Sequence, residues 1–156
     1  LRVSKRRVAS KLVRELGFRS KLEVIVNQQL IDSGISFSYE GELNTVRYII
    51  PETKHRYLCD FLLGNGIMIE AKGLFTSDDR KKHQYIRAQH PQLDIRLLFM
   101  NPNNRLSKTS KTTYASWCNK RNFLWCDREI PKEWLREKKP PAQLKQIINT
   151  LKGFQR

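Results

Sequence analysis

Apolar positions along the chain change spacing several times, and each change marks an element. Leu22, Ile25, Val26 and Leu30 recur at helical intervals, which predicts a helix over residues 20–33. Ser20 and Glu23 have capping-box spacing at its start, and Gly34 stands where a C′ glycine would close it. ISFSYE (35–40) and TVRYII (45–50) read as strands, the second stopped by Pro51. HRYLCDFLL (55–63) and GIMIEAK (66–72) follow as a hairpin around Gly64-Asn65-Gly66. A helix is expected after Ser77, with Asp78 and Asp79 in its first turn and Pro91 beyond its end. DIRLLFM (94–100) then reads as a buried strand, so strand, helix and strand suggest a crossover unit. Residues 101–113 are loop; TTYASWCNKRN predicts a short helix and FLWC a short strand. PKEWLREK reads as a helix with Pro131 in its first turn, and Pro140-Pro141 breaks the chain before a weaker helical segment.

This is a mixed α/β pattern without internal repeats. It predicts one folded domain over 18–137, with a basic N-terminal arm (1–17) and a basic C-terminal extension (138–156). A chain of 156 residues is long enough to bury a core. No apolar run reaches the roughly 18 residues of a membrane span, so no membrane partner is expected. The N-terminus lacks a secretory apolar stretch; it is Arg- and Ser-bearing and acid-poor, features shared with transit peptides. Three cysteines (Cys59, Cys118, Cys126), with no CxxC pair, argue against a disulfide framework or a zinc site and suggest an intracellular setting.

Charge changes the picture more. Thirty Lys and Arg against fifteen Asp and Glu give a net +15, a self-repulsion that usually answers to a polyanion. The excess gathers at the ends: Arg2, Lys5, Arg6, Arg7, Lys11, Arg14, Arg19 and Lys21 against Glu15, and Lys138, Lys139, Lys145, Lys152 and Arg156 after Glu137. Such flanks suit phosphate-backbone contacts that raise affinity without reading sequence. Candidate DNA contacts are Arg6, Arg7, Lys11, Arg19, the run Arg80, Lys81, Lys82 and His83, and the loop residues Arg105, Lys108 and Lys111. Trp117, Trp125 and Trp134 read as core or dimer contacts rather than stacking platforms.

The candidate chemistry lies in DFLLGNGIMIEAKG (60–73), where charge interrupts two apolar runs. With a three-residue loop at 64–66, Leu63 faces Ile67 and Asp60 falls opposite Glu70. Their Cβ atoms would then stand about 4.5 to 5.5 Å apart, with Lys72 on the same face as Glu70. A two-residue turn would shift the register and separate the acids. Like charges directly opposed are unfavourable, and a divalent cation removes the conflict. Two carboxylates with room for water suit Mg²⁺ or Mn²⁺, and an adjacent lysine can orient a water or offset transition-state charge as the ammonium, or deprotonate that water as the free amine. That is the chemistry of metal-assisted phosphodiester hydrolysis.

D-x9-E-x-K resembles the PD-(D/E)xK nuclease superfamily, with Cys59 in place of the usual proline. FRSKLE, YIIP, DFLLGNGIMIEAKG, SDDRKKH, QHPQLDIR and IPKEWL, in this order, resemble the endonuclease I family of T-odd bacteriophages, which are Holliday-junction resolvases. The resemblance runs from about Phe18 to Leu135 and implies a restriction-endonuclease-like mixed central sheet flanked by helices. It implies an intertwined homodimer exchanging strands near 45–52, and cleavage of four-way junctions and other branched DNA that leaves 5′-phosphates. It implies Asp60 and Glu70 as metal ligands with the Ala71 carbonyl, Lys72 as the catalytic lysine, and Glu23 as a further active-site acid. By spacing alone Glu23 caps a helix; the resemblance favours the catalytic role. A further family acid is matched here by Ser38, with Glu40 two residues on, and that role is not carried over. The residues alone leave open a sequence-specific or repair nuclease with the same core, and a non-catalytic junction- or RNA-binding protein.

Overall fold

A five-stranded mixed sheet forms the spine of the computed structural model, which describes residues 17–50 and 53–155. The N-terminal arm expected at 1–17, with Arg6, Arg7 and Lys11, thus lies outside the described residues except for Gly17. The sheet order is β1 (Phe37–Tyr39), β4 (Phe61–Leu63), β5 (Ile67–Lys72), β6 (Asp94–Phe99) and β7 (Trp125–Asp127). The β1–β4 and β4–β5 pairs are antiparallel, while β5, β6 and β7 run parallel. The helix Ser77–Gln89 (α2) connects β5 to β6, as the expected crossover requires.

The first helix, α1 (Lys21–Asp32), forms where the spacing placed it: Leu22, Val26 and Leu30 recur every fourth residue and all are buried. They pack with Phe61, Leu63, Ile67 and Ile69 on one face of the sheet. On the other face Leu62 and Met68 meet Ile86 of α2 and Tyr57. The central hairpin is therefore covered on both sides, which explains its near-continuous apolar runs. A third cluster, around Phe75, Phe99 and Trp117, lies under the short helix α3 (Tyr114–Lys120).

The strand expected over 55–63 is two strands. Residues Thr53–Leu58 (β3) pair with Thr45–Ile50 (β2) in a separate two-stranded ribbon, with Val46 opposite Tyr57. The chain then turns at Cys59 and Asp60 before entering the main sheet as β4. Asn44, fully buried, holds that corner: its side-chain amide donates to the carbonyls of Ser38, Cys59 and Asp60 at 3.0, 3.0 and 3.1 Å. A contact from outside the strand's own sequence sets the break.

The segment from 138 onward is no appendage to the fold. After α4 (Lys132–Arg136), the helix α5 (Pro141–Gly153) buries Ile147 and Leu151 completely against Leu62 and Met68. It also presses on the turn of the central hairpin. Gly66 has φ +82°, and a Cβ there would stand 2.9 Å from Leu144 Cδ1 and 3.3 Å from Ile147 Cδ1. Lys139, expected among the free basic residues, is 2.7 Å from Asp94 and 3.0 Å from Glu137. Arg96, itself buried, joins the same two acids. Ile147→Ala should therefore cost about 2–5 kcal/mol in urea unfolding, as for a fully buried aliphatic residue. A loss below about 0.5 kcal/mol, the range of surface changes, would return α5 to the status of a tail.

Candidate active site

The hairpin adopts the register of the three-residue loop: Phe61 opposes Ile69 and Leu62 opposes Met68. Continued outward by one pair, that register brings Asp60, just beyond β4, across from Glu70 in β5. Asp60 Oδ2 accepts a hydrogen bond from the Ala71 amide at 2.8 Å. This is the protein hydrogen bond that its carboxylate makes among the described residues. Glu70 is 3% exposed and engaged at both oxygens. Lys72 Nζ lies 2.9 Å from Oε1, and the Tyr57 hydroxyl donates to Oε2 at 2.6 Å. Lys72 also meets Asp79 Oδ1 at 3.1 Å, from the first turn of α2.

Glu23 approaches from α1, where the capping contact expected from the spacing forms. Its backbone amide donates to Ser20 Oγ at 3.2 Å, so Ser20 caps the helix. Its carboxylate accepts from Ser20 Oγ at 2.7 Å, the Arg19 amide at 2.9 Å and the Tyr39 hydroxyl at 2.5 Å. It is near enough to Asp60 for its charge to raise that group's proton affinity. The cap thus fixes Glu23 beside the carboxylate pair.

The electrostatics of the pair are lopsided. Burial, and then the charge of Glu70, push the Asp60 carboxyl up to about 8. Burial alone would raise Glu70 too, but Lys72, with Lys82 and the hydrogen bond from Tyr57, holds it below its ordinary value. Burial opposes the charge on Lys72; Glu70 and Asp79 outweigh it and hold the ammonium above its usual range. Asp79 falls to about 2, burial being overcome by Lys72 and by hydrogen bonds from Thr76. One ammonium is therefore shared by two anions, Glu70 and Asp79, and Asp60 is left holding a proton at neutral pH. Lys72 is a cation in this state, suited to offsetting charge and not to abstracting a proton.

Among the described residues, no group of three or more His, Cys, Asp or Glu side chains forms a ready-made metal cage. Mg²⁺ does not demand one, since it is commonly held by one or two carboxylates with water completing the shell. A half-buried carboxylate with raised proton affinity, beside a second acid, fits a hard divalent cation. Ala71 meets Asp60 through its amide; no contact of its carbonyl bears on ligation.

The basic candidates separate by position. Arg19, Lys81, Arg105, Lys108 and Lys111 are exposed, although Arg19 pairs with Glu40 at 2.8 Å. Arg80 donates to the Phe75 carbonyl at 2.7 Å, and Lys82 lies 5.0 Å from the Tyr57 ring centroid. His83 does not join this surface. It is 1% exposed, burial lowers it to about 4, and neither ring nitrogen has a hydrogen-bond partner among the described residues. It shares the inward face of α2 with Ile86, three residues on, so a phosphate contact by His83 does not fit this fold. Ser38 turns to Asn44 and Glu40 to Arg19, leaving neither directed at the Asp60 carboxylate. Of the tryptophans, Trp117 is in the core, Trp134 packs against it, and Trp125 donates to Asn119. Sequence reasoning missed Tyr57, Asp79 and Asn44 as neighbours of the site. Asp79 gave only a helix-start signal, and the others gave none.

Residues 5–154 match the family described as phage endonuclease I. The chain belongs to that family. It is 50% identical over 131 residues to endodeoxyribonuclease 1 of Enterobacteria phage T3, covering 84% of this chain and 85% of that protein. It is 49% identical over 131 residues to endonuclease I of Escherichia phage T7, covering 83% and 87%. The match extends through α5, in keeping with that helix's place in the core.

The raised Asp60 value has a definite sign. Between the unfolded carboxyl value of about 4 and about 8, the folded protein holds a proton that the unfolded chain has lost. Stability from this group therefore falls as pH rises through that window. In metal-free buffer, the stability gained by Asp60→Asn over wild type should grow from about pH 5 to about pH 8 in urea titrations. A difference that stays constant with pH would remove the strained carboxylate from the account.

Proposed function

We propose that this family member is a structure-selective DNA endonuclease that resolves four-way (Holliday) junctions and other branched DNA. The observation that carries the reading is the convergence of Asp60, Glu70 and Lys72 beside Glu23, on a chain of net charge +15. The relatives named as endodeoxyribonuclease 1 and endonuclease I support the reaction class. Asp60, Glu70 and the Ala71 carbonyl, with Glu23 nearby, would hold Mg²⁺, with Mn²⁺ substituting. When bound, the ion supplies Lewis-acid activation of the phosphodiester and its attacking water.

The chain's own residues do the rest. The Lys72 ammonium, already set between Glu70 and Asp79, offsets charge that builds on the phosphoryl oxygens. Asp60 and Glu70, on neighbouring strands of the hairpin, would hold the cation that offsets the phosphate's charge beside that ammonium. Water adds to phosphorus as the P–O3′ bond breaks; the leaving oxygen takes a proton and the phosphate stays on the 5′ end. Exposed Arg19, Lys81, Arg105, Lys108 and Lys111 contact phosphates and read backbone shape, not base sequence.

The fold reading is restriction-endonuclease-like, and the working form is a homodimer in the host cytoplasm. Within one chain the β2–β3 ribbon pairs from Thr45–Leu58 to Ile50–Thr53, and strand exchange would keep that pairing. If β2 crosses to the partner's β3, the same pairs form and the elements before residue 51 move with it. Glu23 of one chain would then complete a site with Asp60, Glu70 and Lys72 of the other. Two such sites suit the two strands of a symmetric junction.

The test is cleavage of a labelled four-way junction beside linear duplex of the same sequence, in Mg²⁺ or EDTA, with wild type and Glu70→Ala. Paired cuts in the junction, dependent on Mg²⁺ and reduced at least about 100-fold by Glu70→Ala, are expected. Junction binding with no cut in Mg²⁺ or Mn²⁺ would overturn the enzyme reading. Equal cutting of the linear duplex would overturn the structure selectivity.

A further inference from the structure

Tyr57 lies outside the D-x9-E-x-K residues and on a different sheet, yet it makes one of the shortest polar contacts in the site. Its hydroxyl donates to Glu70 Oε2 at 2.6 Å, with Tyr57 at 2% exposure and Glu70 at 3%. The opposite oxygen, Oε1, belongs to Lys72 at 2.9 Å. The carboxylate is thus held by one donor at each oxygen, which fixes its plane and rotation. The phenol itself is fixed in turn. His83 packs edge-on to the Tyr57 ring with centroids 5.3 Å apart, and Lys82 Nζ lies 5.0 Å from the ring centre. This gives the buried His83 ring a place in the packing: it bounds the tyrosine without competing for the carboxylate.

We infer that Tyr57 is a positioning residue for the active site, holding Glu70 in the orientation that its work with Lys72 and a divalent cation requires. The inference rests on the endonuclease reading of this site. The tyrosine belongs to β3, which runs through Leu58 and Cys59 directly into Asp60. Tyr57 and Glu70 therefore remain in one chain whether β2 pairs within that chain or with a partner. A hydrogen bond to the oxygen that is not paired with lysine constrains a metal-ligating carboxylate from behind, and loss of such partners typically weakens metal affinity about 10–100-fold.

The obvious alternative is that the hydroxyl merely satisfies a buried acceptor, so the readout must separate stability from site geometry. The experiment measures Mn²⁺ binding to the DNA-free protein by electron paramagnetic resonance, for wild type, Tyr57→Phe, Glu70→Ala and the double variant. Tyr57→Phe should weaken Mn²⁺ by at least about 10-fold, and cleavage should recover as Mn²⁺ is raised. In the Glu70→Ala background the same change should add nothing, because the hydroxyl acts through Glu70. Unchanged Mn²⁺ affinity in Tyr57→Phe, whatever its melting temperature, would overturn the inference. If Glu70→Ala itself leaves Mn²⁺ binding intact, the reading of the site fails instead, and the two failures are distinct. Should Tyr57→Phe not fold, 3-fluorotyrosine in place of Tyr57 serves as the probe. Its ¹⁹F resonance should move on adding Mg²⁺ and stay still in Asp60→Asn; no movement in the otherwise unchanged protein would overturn the inference.

Discussion

Asp60 and Glu70 set two carboxyl groups across from each other at one end of a hairpin whose two faces are otherwise buried, and the surrounding structure is arranged to keep them there. Each carboxylate is given just enough support to persist. Asp60 has the Ala71 amide; Glu70 has Lys72 and Tyr57. Lys72 is in turn shared with Asp79, so a single ammonium faces two anions while Asp60 keeps its proton. Burial makes this costly, because desolvation disfavours every charged form involved. A cation entering between the acids would convert that cost into binding free energy, which is why strain of this kind belongs in an active site and not in a core.

The scaffold holds the register by packing from both sides. Met68 and Leu62 face α5 and α2 while Phe61 and Ile69 face α1, so a slip by one residue would force Glu70 toward the α1 core. Gly66 lets the turn lie close against α5 at a φ of +82°, which L side chains rarely adopt. At the other end Asn44 bends the chain into Asp60. The C-terminal helix, the hairpin turn and the corner at Cys59 thus act on one geometry. Cys59 fits this corner: its thiol rests 3.2 Å from the Ile69 carbonyl, deep inside the protein.

Much of this was legible in the sequence because it is local. The Gly64-Asn65-Gly66 loop and the two-residue strand period together place Asp60 opposite Glu70, and the capping residues at Ser20 and Glu23 announce α1. The misread parts depend on contacts distant in sequence. HRYLCDFLL is continuous in composition, and only Asn44 and the pairing of β3 with β2 divide it. The last helix looks weak because it follows a Pro-Pro break and its apolar residues are interrupted by Gln, Asn and Lys, yet Ile147 and Leu151 place a fully buried seam on one side. RKKH reads as one basic run, whereas helical periodicity sends His83 inward and Lys81 outward. Tyr57 had no signal at all: its partner lies thirteen residues on, across a boundary between sheets.

Whether the carboxyl pair binds a divalent cation decides the function of the site. The direct measurement is thermal melting near pH 8 in EDTA and in excess Mg²⁺, for wild type and Asp60→Asn, without DNA. Mg²⁺ should raise the wild-type melting temperature by several degrees and leave Asp60→Asn where it began. Equal shifts in the two proteins, or none in wild type, would contradict binding at the pair and leave the opposed acids without their compensating ion.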